Sequence, residues 1–190
     1  ANAQDVSLDL QKVPAFDTIA QAAKWKSLKS RVGVSFGNSN MRYTQDVFPE
    51  IKQQNNLTLT AWKGEKLNAQ LLVWAKTNVS AIKVSVSDLK STTGKTISKT
   101  NISAGFVEYV ITDEFAAGCG HRKPEDFASS LVADPINTIA KSASLKKDNV
   151  QPIWLSIKIP SNTAAGNYIA TVTVNADKIY QLKLNVNVLN

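Results

Sequence analysis

Apolar and polar residues alternate most cleanly in the last forty residues, from Gln151 to Asn190. Ile153, Leu155, Ile157 and Ile159 alternate with Trp154, Ser156 and Lys158, and the run NYIATVTVNA follows. Tyr180, Leu182, Leu184, Val186 and Val188 then alternate with Gln181, Lys183, Asn185 and Asn187. A period of two sends successive side chains to opposite faces, so each run predicts a strand with one buried and one wet face. Pro160 lacks a donor and closes the first strand, Gly166 turns the chain back, and Asp177-Lys178 marks a short hairpin loop. Three strands cannot hide a common apolar face by themselves, so a second sheet must cover them.

The same pattern recurs upstream. RVGVSF from Arg31 predicts a strand, and MRYTQDVFPE an extended stretch closed by Pro49. Leu57–Lys63 predicts a strand, and Gly64-Glu65 the turn after it. In Leu67–Lys76 the run Leu71, Leu72, Val73, Trp74 predicts burial on both faces, as in a central strand. AIKVSVSDL predicts a strand with Ile82, Val84 and Val86 inward. Ser91–Lys99 reads as a polar connection around Gly94, and Phe106–Asp113 as a strand with Val107, Tyr109 and Ile111 on one face. The alternation then stops, and residues 114–149 are expected to form a long loop. Near the start, Phe16, Ile19, Ala20 and Ala23 fall at helical spacing after Pro14, which suits a short N-terminal helix. The expected architecture is all-β, a two-sheet antiparallel β-sandwich of the Ig-like or jelly-roll-like kind with eight or nine strands. One domain is expected, residues 31–190, preceded by a lead-in over residues 1–30.

Composition narrows the function classes. Hydrophobic residues make up 43% of the 190, enough for a full core, and no apolar run approaches the roughly twenty residues that span a bilayer. The net charge of +7 comes from 22 basic and 15 acidic residues, with arginine only at positions 31, 42 and 122. Scattered lysines such as Lys83, Lys158 and Lys183 fall in the outward phase of strands. This is the pattern of solvated, aggregation-resistant faces rather than of a nucleic-acid surface. The single Cys119 excludes an internal disulfide and a cysteine metal cluster. Ala1-Asn2-Ala3 before Gln4 resembles the small-residue end of a signal peptide, which predicts export to the periplasm or cell surface.

Candidate chemistry is sparse. Asp113-Glu114 ends a strand before the long connection, but neighbours on an extended strand point apart, so the pair is expected to cap the loop rather than act on a sugar. His121 is the only histidine, so neither a Ser-His-Asp triad nor a multi-histidine zinc site can be assembled. With Arg122 and Lys123 it forms a small basic cluster suited to an exposed or partner-facing loop. Among Trp25, Trp62, Trp74 and Trp154, Trp154 falls in the outward phase of its strand, and Trp62 stands beside a turn. Flat indole faces suit either interface packing or sugar stacking. Glu114, His121, Arg122, Trp62 and Trp154 are thus the ligand- or interface-facing candidates, with no catalytic residue, metal or cofactor expected.

Five blocks, in order, resemble the N-terminal domain of glycoside hydrolase family 123: WKSLKSRVGVSFGNSNMRY, TAWKGEKLNAQLLVWAK, FVEYVITDEFAAGCGHR, SSLVADPI and PIWLSIKIPSNTAAGNYIATVTVN. The resemblance runs from Trp25 to Asn190. That family includes β-N-acetylgalactosaminidases, and the resemblance implies a β-sandwich followed, in whole enzymes, by a (β/α)8 barrel that carries the chemistry. An adjacent Asp-Glu pair of the barrel assists the substrate's own 2-acetamido group. Asp113-Glu114 lies in the other domain and does not inherit that role. The expected function is therefore that of a non-catalytic accessory module whose partner is a C-terminal catalytic barrel absent from this chain. The alternative is an independent carbohydrate-binding or cell-surface adhesion sandwich with a glycan as partner. A self-sufficient enzyme lacks a credible site.

Overall fold

The computed structural model describes residues 18–112 and 130–190. They form one helix, α1 (Thr18–Ser27), and twelve strands: β1 (Val32–Gly37), β2 (Asn56–Ala61), β3 (Lys66–Ala75), β4 (Val79–Val86), β5 (Leu89–Ser91), β6 (Thr96–Ile97), β7 (Ile102–Thr112), β8 (Ser130–Asn137), β9 (Ala143–Leu145), β10 (Asn149–Lys158), β11 (Gly166–Asn175) and β12 (Ile179–Val188). One sheet has the order β1-β3-β10-β7-β8. The other runs β2-β12-β11-β4-β9, with β5 beside β11 and β6 beside β5. The predicted sandwich is therefore present. Two details differ from the expectation: β2 joins β12 in parallel, and the short β5, β6 and β9 raise the strand number above nine.

The alternation at the chain's end places its residues as expected. Leu155, Ile157, Val172, Val174, Leu184 and Val186 are all fully buried between the sheets. The three terminal strands do not form one sheet, however. After Pro160 the chain crosses over, so β10 lies between β3 and β7 while β11 and β12 pair in the facing sheet.

The 114–149 loop requires correction. Within it, Ser130–Asn137 forms β8, antiparallel to β7, and Ala143–Leu145 forms β9 against β4. SLVADPIN hides its strand because Pro135 and the polar Asp134 and Asn137 break the alternation. An edge strand tolerates proline because only one side of its backbone is bonded. The register confirms an irregularity there: Val107 faces Ile136 but Tyr109 faces Ala133, so two steps on β7 answer three on β8. This β-bulge takes up the extra residue around Asp134-Pro135. The Ser91–Lys99 connection is likewise not wholly polar, since Ile97 of β6 is buried.

A second apolar layer covers the outer face of the five-stranded sheet. Every residue of β3 from Ala69 to Ala75 is buried, as the run Leu71–Trp74 predicted. Leu71 and Val73 face the other sheet, whereas Leu72 and Trp74, with Val150 beside them in the same sheet, pack under Trp25 and Tyr43. The cover is α1 plus the irregular segment 38–55, where Phe48 meets Trp25 edge-on with ring centroids 5.1 Å apart. The expected helix thus exists, but its buried face differs from the spacing of Ile19, Ala20 and Ala23. Ile19 and Ala23 are exposed, and Trp25 is the inward residue. One large indole over a sheet outweighs a stripe of alanines, because the area it buries is far greater. The Gln21 side chain accepts from the Phe48 amide at 2.9 Å, and Lys24 pairs with Glu50. The Lys24 ammonium bonds to the Glu50 carboxyl and holds it below its ordinary range.

Gly33 makes room for this layer. A Cβ there would stand 2.2 Å from the Trp74 ring, so the indole lies directly on the β1 backbone. Tyr109 belongs to the same layer, its hydroxyl donating to the Val150 carbonyl at 3.1 Å. Burial, with the Asp46 carboxylate adding repulsion, raises its phenol well above the ordinary tyrosine range.

Leu184→Ala should lower stability by about 2–5 kcal/mol, read as a fall in denaturant midpoint, as for other emptied leucine sites. Gly33→Ala should cost about 1–3 kcal/mol through overpacking against Trp74, with a shifted tryptophan emission as the second readout. The unfolded chain ionises Tyr109 near pH ~10, while the folded chain keeps the proton to higher pH. The contribution of Tyr109 is therefore complete below that pH and is lost as pH rises through it and toward the raised value. Tyr109→Phe should make the decline of denaturant midpoint across that alkaline range shallower.

Candidate functional site

Of the five candidate residues, two lie within the described structure. Glu114, His121 and Arg122 fall outside it, as do Asp113 and Cys119. Trp154 lies on β10, on the outer face of the five-stranded sheet, and is half-buried, in keeping with its outward phase. Trp62 stands in the turn from β2 to β3, at one end of the sandwich, and is 59% exposed. The two indoles belong to different surfaces and build no common platform.

Around Trp154 the outer face is only partly covered. The indole Nε1 donates to Asn68 Oδ1 at 3.2 Å, an oxygen that also accepts from the Ser156 hydroxyl at 3.0 Å. On one side its neighbour is Gln70. That side chain is buried and donates to the carbonyls of Asn38 and Met41, both at 3.0 Å. Gln70 thereby fastens the 38–41 turn above the sheet. On the other side the neighbour is Gly105, where a Cβ would come within 2.5 Å of Ile136. The missing side chain lets Ile136 reach in from β8.

Trp154, Gln70 and Ile136, with Met41, Arg42 and Asp134, line a cleft of about 240 Å³. Met41 and Ile136, 52% and 42% exposed, form its apolar rim. Across it Arg42 Nη2 meets Asp134 Oδ1 at 3.5 Å, tying the 38–55 segment to β8. The volume lies below the roughly 300–1,000 Å³ typical of small-molecule sites. The cleft therefore suits a protruding side chain or a shallow contact better than an enclosed ligand. Sequence reading missed Met41, Gln70 and Ile136, because their convergence depends on sheet register.

Two further hollows open where the sheets part. One, of about 380 Å³, lies between the β1 and β2 edges beside Phe36, Tyr43 and Leu59. The other, of about 210 Å³, lies between β4 and β7 beside Lys99 and Lys141. Among the residues lining all three, Asp134 is the single carboxylate. Acid catalysis of glycoside cleavage needs a protonated acid beside the leaving oxygen, with a second group to assist at the anomeric carbon. A lone carboxylate, already paired with Arg42, does not supply that two-group arrangement. No group of three or more His, Cys, Asp or Glu able to hold a metal occurs among the described residues. No helix among them is long and apolar enough to cross a membrane.

Comparison with known proteins connects this architecture to one group. The chain resembles a family 123 glycoside hydrolase from Clostridium perfringens, whose structural analysis concerns glycolipid glycan hydrolysis. The TM-score is 0.75 and the identity 26%, over 85% of this chain and 27% of that one. The chain thus spans about a quarter of that enzyme's length. Weaker likeness extends to PapD-like domain 7 of human CEP192, with TM-score 0.45 and 12% identity over 84% of this chain and 86% of that one. A FixG-related protein from Vibrio parahaemolyticus gives 0.39 and 9%, over 85% and 99%. No curated protein matches the sequence. The model of the glycoside hydrolase 123 N-terminal domain matches residues 36–176, well over half of the chain, and the chain belongs to that family.

Proposed function

We propose that this sandwich is a non-catalytic accessory module of an exported bacterial glycoside hydrolase of β-N-acetylhexosaminidase type, and that it packs on a (β/α)8 catalytic barrel in the parent protein. The observation that carries this reading is the family match together with its extent. An N-terminal domain matched to about a quarter of an enzyme implies a catalytic domain beyond it. The three hollows support the non-catalytic part, since their one carboxylate pairs with Arg42 and no second acid among the described residues lines them. Ala1-Asn2-Ala3 supports export. The exposed Trp62 favours a second reading, an independent carbohydrate-binding or adhesion sandwich, because an accessible indole can stack on a sugar ring.

Purified residues 1–190 should release no sugar from aryl β-N-acetylgalactosaminides above the buffer rate, measured by chromophore release. Glu114→Gln should leave that result unchanged. Turnover that disappears in Glu114→Gln would instead move the active site into the sandwich.

A further inference from the structure

The floor of the cleft beside Trp154 holds an acceptor that the protein itself leaves unused. Gln70 is only 4% exposed, and its Nε2 donates to the carbonyls of both Asn38 and Met41. Those two carbonyls fix the amide, since only its nitrogen can face them. Among the described residues none donates to Gln70 Oε1. Nor is that oxygen sealed in, because among the described residues only Trp74 Nε1 is a buried side-chain polar atom lacking both a partner and solvent. Gln70 lines the cleft, so its oxygen is left for an incoming donor there. An acceptor in so enclosed a place gains more from a donor than one in open water.

The walls of the cleft are set in advance. The Asn38 carbonyl accepts from the Met41 amide at 3.1 Å, and Asn38 Oδ1 accepts from the Asn40 amide at 2.9 Å. The Asn38 amide donates to the Tyr43 hydroxyl at 2.9 Å. An ordered turn lowers the entropy lost when a ligand binds against it. The Trp154 Nε1–H is already given to Asn68, so what this indole brings to the cleft is ring surface. Ring surface of that kind suits the C–H face of a pyranose.

The remaining lining narrows the ligand. Ser39, Asn40, Arg42 and Asp134 supply donors and acceptors together, and Met41 and Ile136 supply an apolar rim. Sugar hydroxyls both donate and accept, which matches the mixed polar groups. An apolar rim beside an amide acceptor matches an acetamido group, which carries an N–H and a methyl. A purely apolar anchor from a protein partner would instead cover Gln70 Oε1 and the Arg42–Asp134 pair without bonding to them, at a desolvation cost.

We propose that this cleft binds one N-acetylhexosamine unit of a glycan, with the pyranose against Trp154, the acetamido N–H on Gln70 Oε1 and the methyl against Met41 and Ile136. The volume of about 240 Å³ suits a single ring held from one side, in keeping with a shallow contact. The choice of an N-acetylated sugar rests in part on the hexosaminidase reading above. The site itself rests on this cleft and not on Trp62, which lies on another surface.

An NMR titration of the isotope-labelled 190-residue chain tests this, with the methyl β-glycosides of N-acetylgalactosamine and N-acetylglucosamine as probes. At least one should shift the Trp154 indole N–H and the amides of Met41, Arg42 and Asp134 saturably. A Kd of about 1 mM is expected for a ligand of this size in a shallow contact, and methyl β-galactoside should bind about tenfold more weakly. Trp154→Ala should weaken binding by about tenfold or more, with the unfolding temperature reporting that the variant folds. Trp154→Phe should keep most of the affinity, and Trp62→Ala all of it. Should Trp154→Ala fail to fold, Asp134→Ala on the exposed rim should still weaken binding by about threefold or more. The absence of saturable shifts at these residues with either N-acetylated probe would overturn the proposal, as would equal binding of the galactoside. Shifts confined to Trp62 and its turn would also overturn it, and would leave the second reading above standing. The non-catalytic reading is read out separately, by sugar release, so either can fail alone.

Discussion

From Ala69 to Ala75, strand β3 has no face that meets water, and the rest of the structure follows from that constraint. Its inward residues, Leu71 and Val73, require the seven-stranded sheet. Its outward residues, Leu72 and Trp74, require a second cover, supplied by α1 and the segment 38–55. Burying a large apolar side chain is worth about 1.5–3 kcal/mol, so leaving either face open would remove a sizeable part of a marginal total stability. Gly33, Trp25 and Tyr43 are placed to satisfy the outer half of this demand: one gives up its side chain so that Trp74 can lie flat, and the others close the layer above it. The outer layer covers only part of the sheet. Where it stops, Trp154, Met41 and Ile136 define a shallow cleft held together by Gln70 and by the Arg42–Asp134 pair.

Among the described residues the buried layers are apolar, and none of the three hollows brings two carboxylates together. Carboxylates that could act together on a glycosidic bond need a concave, water-excluding site that brings them within a few ångströms of one carbon. The three hollows, of about 210, 240 and 380 Å³, have among their lining residues a single carboxylate, Asp134.

Much of this was legible in the sequence. The strict alternation of β10, β11 and β12 determined which side chains are inward, since a one-residue slip would turn every apolar group to water. The unbroken apolar run of β3 determined burial on both faces, and the five family blocks determined the relationship. Tertiary structure alone decided which strands share a sheet. Alternation fixes the face of a side chain and is silent on its neighbours, so β10 could leave its sequence companions for β3 and β7. It also decided that SLVADPIN is a strand, because pairing with β7 across a bulge overrides a local pattern broken by Pro135. Trp25, rather than the alanine stripe, sets the helix face because only the folded sheet offers an indole-sized site. The convergence of Gln70, Gly105, Ile136 and Trp154 was illegible for the same reason: these residues meet through hydrogen-bond register between strands distant in sequence, and register is a property of the assembled sheet.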